Sequence, residues 1–171
     1  VEKNDLKTQK LFKKNKRKFI KVVIGNYKSA ELAFENGVKK SRGKYVKFHG
    51  DDDFFDLTNL KFINNQLFKK RNSWIIFNGA YIDINYKITR RLMSLIKYYL
   101  LKNYGFLDLS IINYIMTPSI FVKKKVYKKM GGLGHIKRSG SDYVFWMKLN
   151  KKYKPLVILN RISFSMVSKK T

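Results

Sequence analysis

Three consecutive aspartates, Asp51, Asp52 and Asp53, are the residues whose type and spacing most directly suggest chemistry. They follow the run KYVKFH (44–49), whose alternation predicts a strand, so we expect them at the carboxyl end of that strand. Carboxylates held together there usually have a cation between them, and oxygen ligands suit hard ions such as Mg²⁺ or Mn²⁺. Such an ion takes one or two protein carboxylates and completes its shell with phosphate oxygens. The triplet therefore favours a site for a divalent metal and a phosphorylated ligand.

A helix N-terminus is the simpler interpretation of the same triplet. Aspartate is favoured there by the helix dipole and by the free backbone N–H groups of the first turn. Asp52 or Asp53 would then cap the helix that follows. A cap needs one carboxylate, whereas three stand in a row here, so the metal site is preferred and the cap stays open.

The elements that must position the triplet alternate along the chain. Helices are predicted over 5–18, 29–40, 123–130 and 142–152, and a further helix is expected to begin after Asp56 or Thr58. In the helix over 5–18 the predicted inward residues are Leu6, Leu11 and Phe12. Ser29 is the predicted N-cap of the helix over 29–40. Strands are predicted over 19–25, 44–49, 119–122 and 155–162, and 73–84 is extended with a turn near Asn78 and Gly79. This alternation predicts one α/β domain over 1–171 with a largely parallel sheet. In such sheets, ligands bind beyond the carboxyl ends of the strands.

The composition limits the classes of partner that the chain can be expected to bind. Its 38 Lys and Arg residues outnumber 11 Asp and Glu, which gives a formal charge of +27. Lys far exceeds Arg, and Lys, Asn, Ile, Phe and Tyr share A/T-rich codons. The leading explanation of the positive charge is therefore a solvated surface with a composition set by codon usage. Attraction to an anionic membrane is the second explanation, and nucleic-acid binding is the third. The chain has no cysteine, which excludes disulfides and thiolate metal sites. Residues 88–116 are the most hydrophobic part, but charges interrupt them and no membrane span is predicted.

Two segments carry a resemblance to a known family. GVKKSRGKYVKFHGDDDFFD resembles the stretch G-L-x-x-A-R-G-E-Y-I-x-F-L-D-S-D-D of family 2 glycosyltransferases, which are inverting enzymes of the GT-A fold. MTPSIFVKKKVYKKMGGL is similar to the small strand, helix and Gly-Gly-Phe turn of that family, and SGSDYVFWMKL to its segment E-D-x-x-L-W-x-R-L. The resemblance spans 5–165 and implies a GT-A-like (Rossmann-like) fold. It also implies transfer of a sugar from a nucleotide-diphosphate donor, expected to be a UDP-sugar, to a hydroxyl of a saccharide or lipid-linked acceptor.

The resemblance implies a role for each candidate site residue. Asp53, together with Asp51, corresponds to the ligands of Mg²⁺ or Mn²⁺, and Asp51 and Asp52 lie near the ribose or the metal-bound waters. Arg138, in the loop GGLGHIKRSG (131–140), is expected to contact the donor; a surface turn is the alternative for this loop. Asp142 corresponds to the general base that takes a proton from the acceptor hydroxyl. The alternative for Asp142 is the N-cap of the helix that it opens.

The sequence departs from the family pattern at several positions. Gly50 stands where the first Asp of the motif is usual, Ser141 replaces a Glu, and Glu35 falls in a segment that usually reads Ala-Arg-Asn. The nucleotide-binding strands that normally open the family are not visible before Val1, so we expect an N-terminally truncated domain, either a fragment or a short form. An inactive remnant that serves as an interaction module and a nucleic-acid-binding protein are the rival functions. The basic charge and the apolar segment 88–116 also suggest peripheral contact with an anionic membrane at its cytoplasmic face.

Overall fold

Helices and strands are interspersed along the chain, and like elements follow one another at several places. The computed structural model describes residues 1, 3–14, 20–70, 72–85, 87–89, 91–104, 113, 115–133 and 140–167. Within these ranges the helices are α1 (Leu6–Lys14), α2 (Ala30–Lys40), α3 (Leu60–Lys70), α4 (Arg91–Tyr104), α5 (Lys124–Lys129) and α6 (Ser141–Lys152). The strands are β1 (Tyr45–Val46), β2 (Asp53–Phe55), β3 (Trp74–Ile82), β4 (Ile88–Thr89), β5 (Ile120–Lys123) and β6 (Leu156–Met166). No helix in the described part has both the length and the apolar character needed to cross a bilayer.

The described strands form one sheet in the order β1-β5-β3-β6-β2, and β4 pairs with the far end of β3. β3 and β6 are parallel and stay paired from Ile75 and Leu156 to Ile82 and Met166. The remaining pairings among the described strands are antiparallel, so the prediction of a largely parallel sheet is wrong for this part of the chain. The alternation of elements identifies strands, but it does not set their direction. β2 follows β1 in the chain but lies at the opposite edge of the sheet, where it pairs antiparallel with β6, and β5 lies antiparallel between β1 and β3.

Two apolar clusters hold the helices against the two faces of the sheet. Trp74 and Ile76 of β3 belong to one cluster, while Ile75 and Phe77 belong to the other. Successive side chains of a strand point to opposite faces, so β3 is buried on both sides and reads as a continuous apolar run. The first cluster also holds Val38 of α2, Val126 of α5 and Phe145 and Trp146 of α6, and the second holds Ile63 of α3.

Several local predictions are confirmed. The hydroxyl of Ser29 caps α2 by accepting a hydrogen bond from Leu32 N. Asp56 accepts hydrogen bonds from the backbone and hydroxyl of Thr58 and so opens the 3₁₀ turn Leu57–Asn59 that leads into α3. The segment 73–84 is extended, but it forms a single strand, because the chain passes Asn78 through an irregularity in the β3·β6 register and does not turn back.

The amino-terminal predictions are wrong in part. Residues 20–24 have no regular secondary structure and do not join the sheet, and Ile20, Val22 and Ile24 are exposed. β-Branched residues favour an extended backbone, yet a strand also needs a neighbour, and here Gly25 exchanges backbone hydrogen bonds with Val1 and Lys3. The predicted inward residues of α1 do not form a core: no residue of α1 is buried, and Leu6 and Leu11 are exposed.

Candidate functional site

The acidic triplet lies in a tight turn between β1 and β2, which we call the acidic turn (residues 50–53). The Asp53 carboxylate closes this turn, because its Oδ2 accepts a hydrogen bond from Gly50 N at 2.7 Å. Its Oδ1 accepts a hydrogen bond from Ser165 Oγ of β6 at 2.5 Å. Asp51 and Asp52 are exposed. The acidic turn therefore presents one oriented carboxylate and two that face solvent.

Gly50 is explained by the geometry of the same turn. A Cβ atom at this position would lie 2.6 Å from Asp52 Oδ1 and 3.2 Å from Asp53 Oδ2. A Cβ atom here would displace the Asp52 carboxylate, because separations below 3.0 Å are too short for a Cβ contact. A residue other than glycine at position 50 would thus require the exposed Asp52 side chain to move.

The carboxylates of the acidic turn fit only one kind of metal site. The described residues contain no group of three His, Asp or Glu side chains that could hold an ion. Each Asp53 oxygen accepts one hydrogen bond and keeps further acceptor capacity, and Asp51 and Asp52 are accessible. Such a set suits an ion that draws most of its ligands from phosphates and water rather than from a cage of protein atoms. The capping role proposed for Asp52 or Asp53 belongs instead to Asp56.

A partly buried lysine lies beside the acidic turn. Lys47 Nζ is 2.9 Å from His49 Nδ1 and 4.7 Å from the centroid of the Phe55 ring. Burial lowers the pKa of Lys47 to about 8, and the negative charge of Asp53 opposes this shift. Burial, and next the charge of Lys47, also lower the pKa of His49. No prediction included Lys47, although its spacing of two residues from Tyr45 places both side chains on one face of the strand.

Asp142 lies in the first turn of α6. Its Oδ2 accepts a hydrogen bond from Thr117 Oγ1 at 2.5 Å, and its Oδ1 accepts one from Tyr143 N at 2.8 Å. The N-cap of α6 is Gly140, with φ of +81°, so the alternative prediction that Asp142 is the N-cap is wrong. Thr117 was missed because its position beside Asp142 depends on the packing of two segments that are distant in the sequence.

Hydrogen bonds attach both the acidic turn and the turn Thr117–Ser119 to β6, and the latter turn also bonds Asp142. Ser165 bonds Asp53, and Ser163, two residues earlier on β6, donates from its Oγ to the carbonyl of Pro118 at 2.5 Å. The two serines lie on the same face of the strand, about 7 Å apart. Pro118 belongs to the 3₁₀ turn Thr117–Ser119, whose first residue bonds Asp142. Asp53 is therefore bonded to β6, Asp142 is bonded to the turn Thr117–Ser119, and β6 is bonded to that same turn.

Two glutamates of α2 anchor the segments that flank Asp142. Ser141 Oγ donates a hydrogen bond to Glu31 Oε1 at 2.8 Å, and this bond is the main cause that lowers the pKa of Glu31. Glu35 accepts hydrogen bonds from the Tyr127 hydroxyl and from Leu133 N. Both departures from the family pattern at Ser141 and Glu35 therefore have structural partners in this chain.

Arg138 lies outside the described residues, as does the rest of 134–139. The donor contact assigned to it stays a prediction. The structure describes the two ends of this loop, at residues 131–133 and at Gly140, which precedes α6.

Comparisons with known proteins identify the fold. No protein-family model and no curated protein matches the sequence. Among solved structures, S. aureus TarS 1–349 superimposes with a TM-score of 0.66 at 16% identity, over 95% of this chain and 48% of that one. The complex of TarS 1–349 with UDP-GlcNAc superimposes with a TM-score of 0.66 at 14% identity, over 98% of this chain and 48% of that one. The complex with UDP superimposes with a TM-score of 0.61 at 13% identity, over 96% of this chain and 48% of that one.

The chain therefore spans about half the length of the TarS 1–349 structures that it matches. At this level of sequence identity, the likeness concerns the fold. It confirms the predicted α/β class with a GT-A-like sheet flanked by helices.

Proposed function

We propose that this chain carries the acceptor-activating part and a share of the donor site of an inverting, metal-assisted glycosyltransferase. The donor is a nucleotide-diphosphate sugar, expected to be a UDP-sugar, and the acceptor is a hydroxyl of a saccharide or lipid-linked molecule. The observation that supports the proposal is that Asp53 bonds β6, Asp142 bonds the turn Thr117–Ser119, and β6 bonds that same turn. The likeness to TarS structures that contain UDP-GlcNAc and UDP supports a nucleotide-sugar donor.

Asp142 is the proposed general base. Thr117 Oγ1 and Tyr143 N each donate a hydrogen bond to its carboxylate, which fixes the side chain while leaving it free acceptor capacity. The carboxylate takes the proton of the acceptor hydroxyl as that oxygen bonds to the anomeric carbon. The bond from this carbon to the diphosphate breaks in the same displacement, so the configuration inverts and the nucleoside diphosphate leaves with the bonding electrons. No enzyme nucleophile is required.

The acidic turn is the proposed donor side of the site. Asp53 and Asp51 would hold Mg²⁺ or Mn²⁺, which would stabilise the charge that develops on the departing diphosphate. Asp52 would face the ribose, and Arg138 would contact the donor. Gly50 N and Ser165 Oγ keep the Asp53 carboxylate in a fixed orientation whether or not an ion is bound.

Donor turnover by the purified chain tests this proposal. We expect Mn²⁺-dependent binding of UDP by calorimetry and release of UDP from UDP-GlcNAc in the presence of acceptor. Asp142→Asn should bind UDP as the wild type does but lose about 10²- to 10⁴-fold in turnover, because a positioned base contributes that much. The matched control is Asp5→Asn, since Asp5 is exposed and bonds Thr8 N in α1. Normal turnover by Asp142→Asn would refute the assignment of the base.

An inactive remnant is the second candidate, and one observation favours it. Both Asp53 oxygens already serve the structure, through Gly50 and Ser165, and need no ion to explain their position. The remnant predicts that Mn²⁺ leaves the melting temperature unchanged. The transferase instead predicts that Mn²⁺ raises the melting temperature of the wild type and not that of Asp53→Ala.

We also propose peripheral contact with an anionic membrane at its cytoplasmic face, where lipid-linked acceptors would be met. α4 exposes Leu92, Leu95, Ile96 and Tyr99, whose spacing places them on one side of the helix. An exposed apolar stripe in a chain of charge +27 is typical of helices that lie in an anionic interface. Flotation with anionic vesicles should recover the wild type at low salt and much less of Leu95→Glu. Equal recovery of both would exclude this surface.

A further inference from the structure

Lys97 of α4 is a buried cation to which neither the sequence analysis nor the proposed mechanism assigns a role. Its side chain is 8% exposed, and its Nζ donates a hydrogen bond to Tyr81 Oη at 3.0 Å. The same ammonium lies 5.0 Å from the centroid of the Tyr81 ring. Among the described residues, the partner of this ammonium group is therefore the neutral phenol of Tyr81. Burial of an ammonium group without an anionic partner is unfavourable, so the position of Lys97 needs an explanation.

The register of the sheet relates Lys97 to the acidic turn. Tyr81 of β3 pairs with Ser165 of β6, and Ser165 pairs with Asp53 of β2, so the three form one row across three strands. Paired residues of a ladder point to the same face, and the Ser165–Asp53 hydrogen bond is direct evidence of this for two of them. Tyr81 and Asp53 are separated by two strand spacings, about 10 Å. The Lys97 ammonium thus lies over the same face as the Asp53 carboxylate.

This row lies at the end of the sheet where ligands of α/β proteins bind. Tyr81 and Ser165 are the next-to-last residues of β3 and β6, the parallel pair of the sheet. The crevice beyond the carboxyl ends of parallel strands is the usual ligand position. A phosphorylated ligand placed there would meet the carboxylates of the acidic turn, which repel it, and would need positive charge from another element of the protein.

We propose that Lys97 is a binding residue for a diphosphate group, whose oxygens accept hydrogen bonds from its ammonium. The inference rests on the proposed function and deepens it, because it names a protein cation that meets the diphosphate of the ligand. That diphosphate can belong to the nucleotide donor or to another pyrophosphate compound. Lys47 does not fill the same role, since its ammonium lies beside His49 and over the Phe55 ring.

A binding role and a purely structural role predict opposite effects of Lys97→Met. Methionine has a similar length and no charge, so it removes the desolvation penalty while it keeps most of the apolar contacts. A ligand-binding lysine should therefore give a variant at least as stable as the wild type without ligand, but with weakened anion binding. A structural lysine should give a less stable variant with unchanged binding.

Calorimetric titration of the wild type, Lys97→Met and Lys102→Met with UDP, inorganic pyrophosphate and uridine tests the proposal. Lys102 is the matched control because it is exposed on the same helix. We expect Lys97→Met to bind UDP and pyrophosphate about 10- to 100-fold more weakly, the range expected for a hydrogen bond to a charged group, and uridine as the wild type does. Tyr81→Phe, which keeps the ammonium, should retain binding of both anions.

The outcomes separate this inference from the proposed function. If the wild type binds UDP and Lys97→Met binds it equally well, the role of Lys97 is refuted and the glycosyltransferase proposal stands. If the wild type binds pyrophosphate in a Lys97-dependent way but does not bind UDP, the anion site stands and the nucleotide-sugar donor is refuted. Binding of neither anion by the wild type, or unfolding of Lys97→Met, overturns the inference.

Discussion

Replacement of Lys47 by methionine should stabilise the protein, and the gain should depend on pH. The interval between the ordinary lysine pKa of 10.5 and the lowered value of about 8 corresponds to about 3 kcal/mol of unfavourable folding free energy at neutral pH. The side chain keeps partial access to water, which screens the effect, so we expect about 1–2 kcal/mol. Below pH 8 the lysine is charged in both the folded and unfolded states, and the full penalty applies.

The penalty disappears as the pH rises through the interval between the two pKa values. The folded protein gives up the proton near pH 8 and the unfolded chain near pH 10.5, so the unfolded state binds more protons and wild-type stability increases with pH. Urea unfolding of the wild type and Lys47→Met at pH 7.0 and pH 9.5 measures this difference. The advantage of the variant at pH 9.5 should be less than half of that at pH 7.0.

Lys44→Met is the matched control, because Lys44 is exposed immediately before β1. Its effect should stay within about 0.5 kcal/mol at both pH values. A gain for Lys47→Met that is the same at both pH values would assign the stabilisation to apolar packing and refute the electrostatic explanation. A loss of stability would show that the contacts of the ammonium with His49 and the Phe55 ring outweigh its desolvation.

Two further predictions concern backbone geometry and capping. Gly132→Ala should destabilise the protein by roughly 2 kcal/mol, because Gly132 has φ of +65° and the new Cβ would collide with Glu35 Oε1. Gly37→Ala in α2, where a Cβ meets nothing within 4 Å, should instead stabilise the protein by about 0.5–1 kcal/mol. Urea unfolding measures both changes, and equal stabilities of the two variants would contradict this prediction. Asp56→Ala should lower the urea midpoint at pH 7, because the hydrogen bonds from Thr58 lower the pKa of Asp56. This contribution exists above the ordinary carboxyl pKa and is lost as the pH falls through the lowered folded value, so wild type and variant should converge in acid.

Local signals in the sequence predicted local structure well. The serine before an amphipathic run marked the start of α2, and Asp56 marked the 3₁₀ turn before α3, because capping depends on neighbours within a few residues. The continuous apolar run of β3 also indicated a strand. The direction of the strands was not predictable in this way, since it depends on which distant segment supplies each neighbour. The run at 19–25 shows the same limit: its β-branched composition predicted a strand, but the described residues 20–24 lie outside the sheet, because composition does not supply a pairing partner.

In the candidate site, too, residues marked by local sequence patterns were predicted, whereas contacts between distant segments were not. The carboxylates at 51–53 were visible as a dense acidic run, and Asp142 through the resemblance of its segment. Their hydrogen-bond partners, Ser165 and Thr117, were not predictable, because each contact joins segments that are far apart in the sequence. Lys97 was visible only as a charge that interrupts an apolar run. Such an interruption is a useful signal, because a charged residue on the inward side of a helix has to find a partner.

The distribution of carboxylates connects the fold to the proposed site. In a chain with 38 basic and 11 acidic residues, carboxylates are scarce, and those with described hydrogen bonds mostly bind backbone N–H or hydroxyl groups. Glu31 and Glu35 join α2 to Ser141 and Tyr127, Asp53 closes the acidic turn, and Asp142 holds the turn before β5. Asp51 and Asp52 differ, because they are exposed, adjacent and next to an already oriented carboxylate. Like charges this close repel one another, and the proposed cation and phosphorylated ligand would offset this repulsion.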